Sequence, residues 1–184
     1  MEKSYSIKKG IGAGTIAGVI AGIVMLVPMM SMMSMMSLPS DLFPILVGMT
    51  MGQTQEDAAM MGIVFHFVPS IIIGIIFGAV ISVSKLSLKS FKKGISMGIV
   101  TGIISFAVIF LPMMMNVLPP TMLQLMQMMN PGAPQDMIMQ QLQSMQPMLL
   151  AGSLISHIIY GIVLGSITYV IVRKSQKTMK TSLE

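Results

Sequence analysis

A chain of 184 residues that is 54% hydrophobic and only 9% charged cannot clothe a water-soluble surface, since soluble domains carry about a quarter charged residues. The absence of cysteine excludes disulfides, thiolate metal sites, iron–sulfur ligation and cysteine nucleophiles. The net charge of +5 falls in short clusters beside apolar runs, a juxtamembrane pattern that speaks against a nucleic-acid groove.

Four runs lack Asp, Glu, Lys and Arg and are long enough to cross a bilayer as helices, the only single segments that satisfy their own backbone in lipid. The first, 10–30, follows Lys3, Lys8 and Lys9 and carries Gly10, Gly14, Gly18 and Gly22. A basic start and an apolar run also describe a signal peptide, but no small-x-small site follows Val27, where the chain reads Pro28-Met29-Met30. In the loop 31–59 a short apolar helix is expected at 41–49, capped by Ser40. Thr54, followed by Gln55, Glu56 and Asp57, marks another helix start. The second run, 60–84, holds Ser70, Gly74 and Gly78, and the third, 94–115, holds Gly94, Gly98 and Gly102. The loop 116–147 reads as two amphipathic segments, 121–129 and 135–146, parted by Asn130-Pro131-Gly132 and given a polar face by glutamines. The fourth run, 148–172, contains Gly161 and Gly165.

All 11 Lys and Arg residues lie in the N-terminal tail, the 85–93 loop or the C-terminal tail. The other two loops hold Asp41, Glu56, Asp57 and Asp136 instead. The positive-inside rule then places both termini in the cytoplasm of a multi-pass cell-membrane protein.

Lys8-Lys9-Gly10-Ile11 recurs as Lys92-Lys93-Gly94-Ile95. At the same offset Gly14 meets Gly98, Gly18 meets Gly102, and Pro28-Met29-Met30 meets Pro112-Met113-Met114. Gly74 and Gly78 correspond to Gly161 and Gly165. The pattern is a repeat of about 80 residues, 8–85 and 92–174, whose copies both start in the cytoplasm and are therefore parallel. The expected fold is an all-α, four-helix membrane bundle in one domain, 1–184, made of two hairpin repeats with short amphipathic helices in the outer loops. Small residues four apart let backbones approach, and helix packing is assigned to Gly14, Gly18, Gly22, Gly74, Gly78, Gly98, Gly102, Gly161 and Gly165.

His66 and His157 are strongly titratable side chains inside the apolar runs, where such groups are functional candidates by their cost. A neutral imidazole there can bind metal, relay a proton, or simply fix register by a hydrogen bond. Methionine accounts for 25 residues, clustered at Met29, Met30, Met32, Met33, Met35, Met36, Met113 to Met115 and through 122–139. Thioethers select Cu(I), so His66, His157, Met29, Met30, Met32, Met33, Met113 and Met114 form a candidate metal set. Methionine is equally a flexible filler of irregular gaps and adaptable contact surfaces. No carboxylate lies in a span, and the run Gly12, Gly14, Gly18 sits within a membrane helix and is no dinucleotide fingerprint. No catalytic constellation and no cofactor are therefore expected.

Gly62-Ile63-Val64-Phe65-His66, then Gly74-x-x-x-Gly78, after a glycine-rich run ending in Pro28-Met29-Met30, resembles small prokaryotic membrane proteins, archaeal ones among them, grouped only as domains of unknown function. The resemblance implies a helical membrane fold and no established activity. The leading expectation is a non-enzymatic accessory subunit packed against other membrane-protein subunits or itself in the bilayer. The alternative is transport or binding of Cu(I) or another small solute through His and Met residues.

Overall fold

The computed structural model describes residues 6–83 and 86–181. In chain order these form α1 (Ile7–Met35), α2 (Leu42–Thr50), α3 (Gln55–Val80), α4 (Phe91–Ser105), a π-helical turn (Phe106–Phe110), α5 (Leu111–Asn116), α6 (Leu118–Met129) and α7 (Gln135–Thr181). There is no strand among the described residues, so the protein is all-α. Among the described residues four stretches are long and apolar enough to cross a membrane: Ile7–Met35, Glu56–Val80, Phe91–Asn116 and Gln135–Ser175. Isoleucine and valine abound in them, yet a strand would leave its backbone polar groups open to lipid, whereas a helix closes them internally.

The helix ends follow local chemistry. After α1, Ser37 takes the left-handed conformation (φ 57°). The Leu38 N–H then reaches the Met33 carbonyl and the Ser37 N–H reaches that of Ser34, which closes the helix as a Schellman motif. Gly52 (φ 80°) ends α2 the same way, with the Gln53 N–H on the Gly48 carbonyl. The expected Ser40 cap of α2 is displaced by one residue: Asp41 holds the cap position, without a side-chain hydrogen bond. At the start of α3 the Thr54 carbonyl accepts the N–H groups of Asp57 and Ala58, and the acids Glu56 and Asp57 occupy the first turn, where the helix dipole favours them.

Two boundaries depart from expectation. The segment 135–146 is not a separate amphipathic helix but the first turns of α7, which runs 47 residues with Pro147 inside it. A proline removes one N–H, and its orphaned partner, the carbonyl of Gln143, lies at an exposed position where other donors can reach it. The third span is likewise not a plain α-helix. Its π turn carries the Leu111 N–H to the Phe106 carbonyl, five residues back. Pro112 follows at once; it cannot donate to the Val108 carbonyl, and widening the preceding turn relieves the crowding of its ring. Within the turn Phe106 and Phe110 stack at 5.5 Å. Pro28, the sequence counterpart of Pro112, sits inside α1 without such a turn.

The chain divides into two compact units, each assembled from segments of both halves of the sequence. Unit 1 comprises Met1–Met25, Phe67–Ile104 and His157–Glu184; unit 2 comprises Leu26–His66 and Ser105–Ser156. The core of unit 1 is built from Ala13, Ala17, Ala21, Phe77, Ile81, Tyr160 and Leu164. That of unit 2 draws on Met29, Met32, Met33, Leu46, Phe110, Met122, Leu125, Met126, Leu142 and Leu149.

Candidate functional site: glycine seams and a methionine-lined unit

In unit 1 the helices meet backbone to backbone. A Cβ placed on Gly14 would fall on the Gly74 carbonyl oxygen and lie 2.9 Å from the Gly78 Cα. On Gly74 it would strike the Gly14 carbonyl, and on Gly78 that of Gly10. A Cβ on Gly18 would lie 2.6 Å from the Ser70 carbonyl oxygen, and one on Gly22 would lie 2.6 Å from the Ser70 hydroxyl and 3.2 Å from the Phe67 ring. These contacts form the α1/α3 seam.

The α4/α7 seam has the same register. A Cβ on Gly94 would stand 2.9 Å from the Gly165 carbonyl oxygen, one on Gly98 would fall on that of Gly161, and one on Gly102 on that of His157. Thus every glycine assigned to packing touches a neighbouring helix of the chain, and the carbonyls of Ser70 and His157 occupy corresponding places.

A polar contact links the seams. The Tyr160 hydroxyl donates to the Ser70 carbonyl at 2.8 Å, and the Ser70 hydroxyl donates to the Gly18 carbonyl at 3.2 Å, all of these residues being buried. Sequence reasoning missed Tyr160. A tyrosine in the middle of an apolar run is nonetheless a signal, because its hydroxyl must find an acceptor away from water. Other hydroxyls turn back on their own helix: Thr168 to the Leu164 carbonyl at 2.7 Å and Ser156 to that of Gly152 at 2.8 Å. Among the described residues no buried side-chain nitrogen or oxygen lacks a partner.

Unit 2 is lined differently. Met29, Met32 and Met33 of α1, Met114 of α5, Met122 and Met126 of α6 and Met145 of α7 are all buried in it. Met30 is exposed and Met113 half-buried. A Cβ on Gly152 would fall on the Met32 sulfur, so this glycine makes room for a thioether. Unit 2 also has close backbone contacts that the spacing of small residues did not flag. A Cβ on Gly48 would meet the Ala58 carbonyl and one on Gly62 the Pro44 carbonyl, so α2 packs hard against the first turns of α3. The exposed side of α7 in this unit shows Met137, Met139, Gln140, Gln141, Gln143 and Met148, while Ile138, Leu142, Met145 and Leu149 form its buried stripe.

The two histidines fall in different units. His66, half-buried in unit 2, stands edge-on to Phe43 with ring centroids 6.5 Å apart; His157, half-buried in unit 1, presents its carbonyl to Gly102. No group of three or more His, Cys, Asp and Glu side chains that could hold a metal ion occurs among the described residues. Asp41, Glu56, Asp57 and Asp136 are all exposed. No protein-family model matches the chain, and no curated protein or solved structure is significantly similar to it.

Proposed function

We propose that the protein is a non-enzymatic accessory subunit of the cell membrane, packed against other membrane-protein subunits or a second copy of itself. One observation carries the reading. The glycine faces are engaged within the chain, whereas unit 2 leaves methionines such as Met137, Met139 and Met148 exposed among uncharged glutamines. Flexible thioether side chains beside neutral amides suit an adaptable contact with another apolar protein better than they suit water.

The matched seams support the view that the chain arose by duplication of one glycine-zipper hairpin. The charge distribution supports cytoplasmic termini. Extraction from native membranes in mild detergent tests the proposal. The protein is expected to elute with a partner or as an oligomer, and Met137→Lys combined with Met148→Lys should release it without unfolding it. A stable monomer of 19.8 kDa carrying nothing but detergent overturns the reading.

A second reading, soft-metal binding, draws support from the thioethers of α1, α5, α6 and α7 buried together in unit 2. Cu(I) titration decides it. Binding that survives replacement of Met29, Met32, Met33 and Met114 by leucine ends it.

A further inference from the structure

We propose that the α4/α7 end of unit 1 binds the phosphate headgroups of acidic phospholipids. Every described cation of the chain belongs to unit 1: Lys8, Lys9, Lys89, Lys92, Lys93, Arg173 and Lys174, with Lys177 and Lys180 further along α7. The described acids, Asp41, Glu56, Asp57 and Asp136, all belong to unit 2.

The cations are not spread evenly between the two seams. The α1/α3 end has Lys8 and Lys9. At the other, the antiparallel register that sets Gly94 beside Gly165 and Tyr169 places Lys89, Lys92 and Lys93 at the same end of the α4/α7 pair as Arg173 and Lys174. Five cations gather at this end of the pair, before Lys177 and Lys180 of α7 are counted.

The company they keep identifies the ligand. Phe91 packs edge-on against Tyr169, with ring centroids 5.7 Å apart, yet remains 46% exposed, and Val170 is 56% exposed. Exposed apolar side chains interleaved with Lys and Arg are poorly placed in water and poorly suited to a nucleic-acid backbone. They fit the boundary between acyl chains and headgroups, where the apolar groups enter the lipid and the cations reach the phosphates. An aromatic pair at that level sits where one ring edge can be wet and the other dry. The surface is thus a lipid contact with a preference for negative headgroups, and it holds whether or not the chain has a protein partner.

The test is native mass spectrometry of the full chain in detergent, with phosphatidylglycerol or phosphatidylcholine added. The wild type should retain phosphatidylglycerol preferentially. Replacing Lys89, Lys92, Arg173 and Lys174 by glutamine should weaken retention roughly fivefold per charge removed. Lys8→Gln with Lys9→Gln should change it far less. If the fourfold variant does not fold, raising the salt concentration on the wild type must release the lipid, and the three lysine-to-arginine replacements at 89, 92 and 174 must keep it. Equal retention of the two lipids, equal loss in both glutamine variants, salt-insensitive binding, or displacement of lipid by inorganic phosphate would each overturn the proposal. The last would mark a site for free anions instead.

Discussion

Between α1 and α3, and between α4 and α7, the atoms that meet in unit 1 belong to the backbone, as at Gly14 against Gly74 and Gly98 against Gly161. In unit 2 the buried surface is largely thioether and aliphatic, with Met29, Met32, Met33, Met122 and Met126 doing the filling. In lipid, helices gain little from hiding apolar area from one another, so close approach must supply the attraction. Glycine achieves it by removing side chains and methionine by bending one to fit. The first solution tolerates no added atom, while the second tolerates changes of shape at constant volume.

The sharpest way to break this contrast is to add bulk. Gly14→Leu or Gly98→Leu places a side chain where a carbonyl stands, and the expected loss is about 3 kcal/mol, the upper end for overpacking. Unfolding titration with a harsh detergent measures it, and a loss below about 1 kcal/mol would show that the seam can open without penalty. Gly48→Leu extends the question to unit 2, because α2 meets Ala58 through the same kind of backbone contact.

At Met33, 1% exposed, the contrast can be sharpened. Met33→Ala should cost about 3 kcal/mol by leaving a cavity, whereas Met33→Leu should cost less than about 1.5 kcal/mol. Equal costs would mean that the methionine unit is as intolerant as the glycine unit.

Tyr160→Phe removes a hydroxyl between the seams, and about 1 kcal/mol is expected, given the modest worth of hydrogen bonds between membrane helices. The same titration reads it, and no change would leave the seams held by packing alone. The smallest effect has the opposite sign. Ser37→Gly relieves a left-handed residue and should raise stability by up to about 1 kcal/mol, seen as a higher melting temperature.

The spans are legible in the sequence because charge is excluded from them so strictly, and the all-α class follows from that exclusion alone. The glycine spacing is legible too, but not which helix each glycine meets, since contact lies between residues such as Gly14 and Gly74, far apart in the chain. The continuity of α7 is hidden by Pro147, a residue that usually ends helices but here orphans only one carbonyl, at an exposed position. The π turn before Pro112 has no counterpart at Pro28, so local sequence did not announce it. Tyr160 escaped because its partner is a backbone carbonyl, which no pattern of side chains can advertise. For the candidate metal set, spacing along the chain could not reveal that His66 and His157 belong to separate units.

A seam of glycines has a thermal consequence. Docking Gly14 or Gly161 freezes no rotamer, whereas each buried methionine surrenders side-chain freedom worth roughly 1.5–2 kcal/mol at room temperature. That penalty grows with heat, so warming should loosen the thioether-lined unit while the glycine contacts are still closed, and amide hydrogen exchange should rise first around Met122 and Met126.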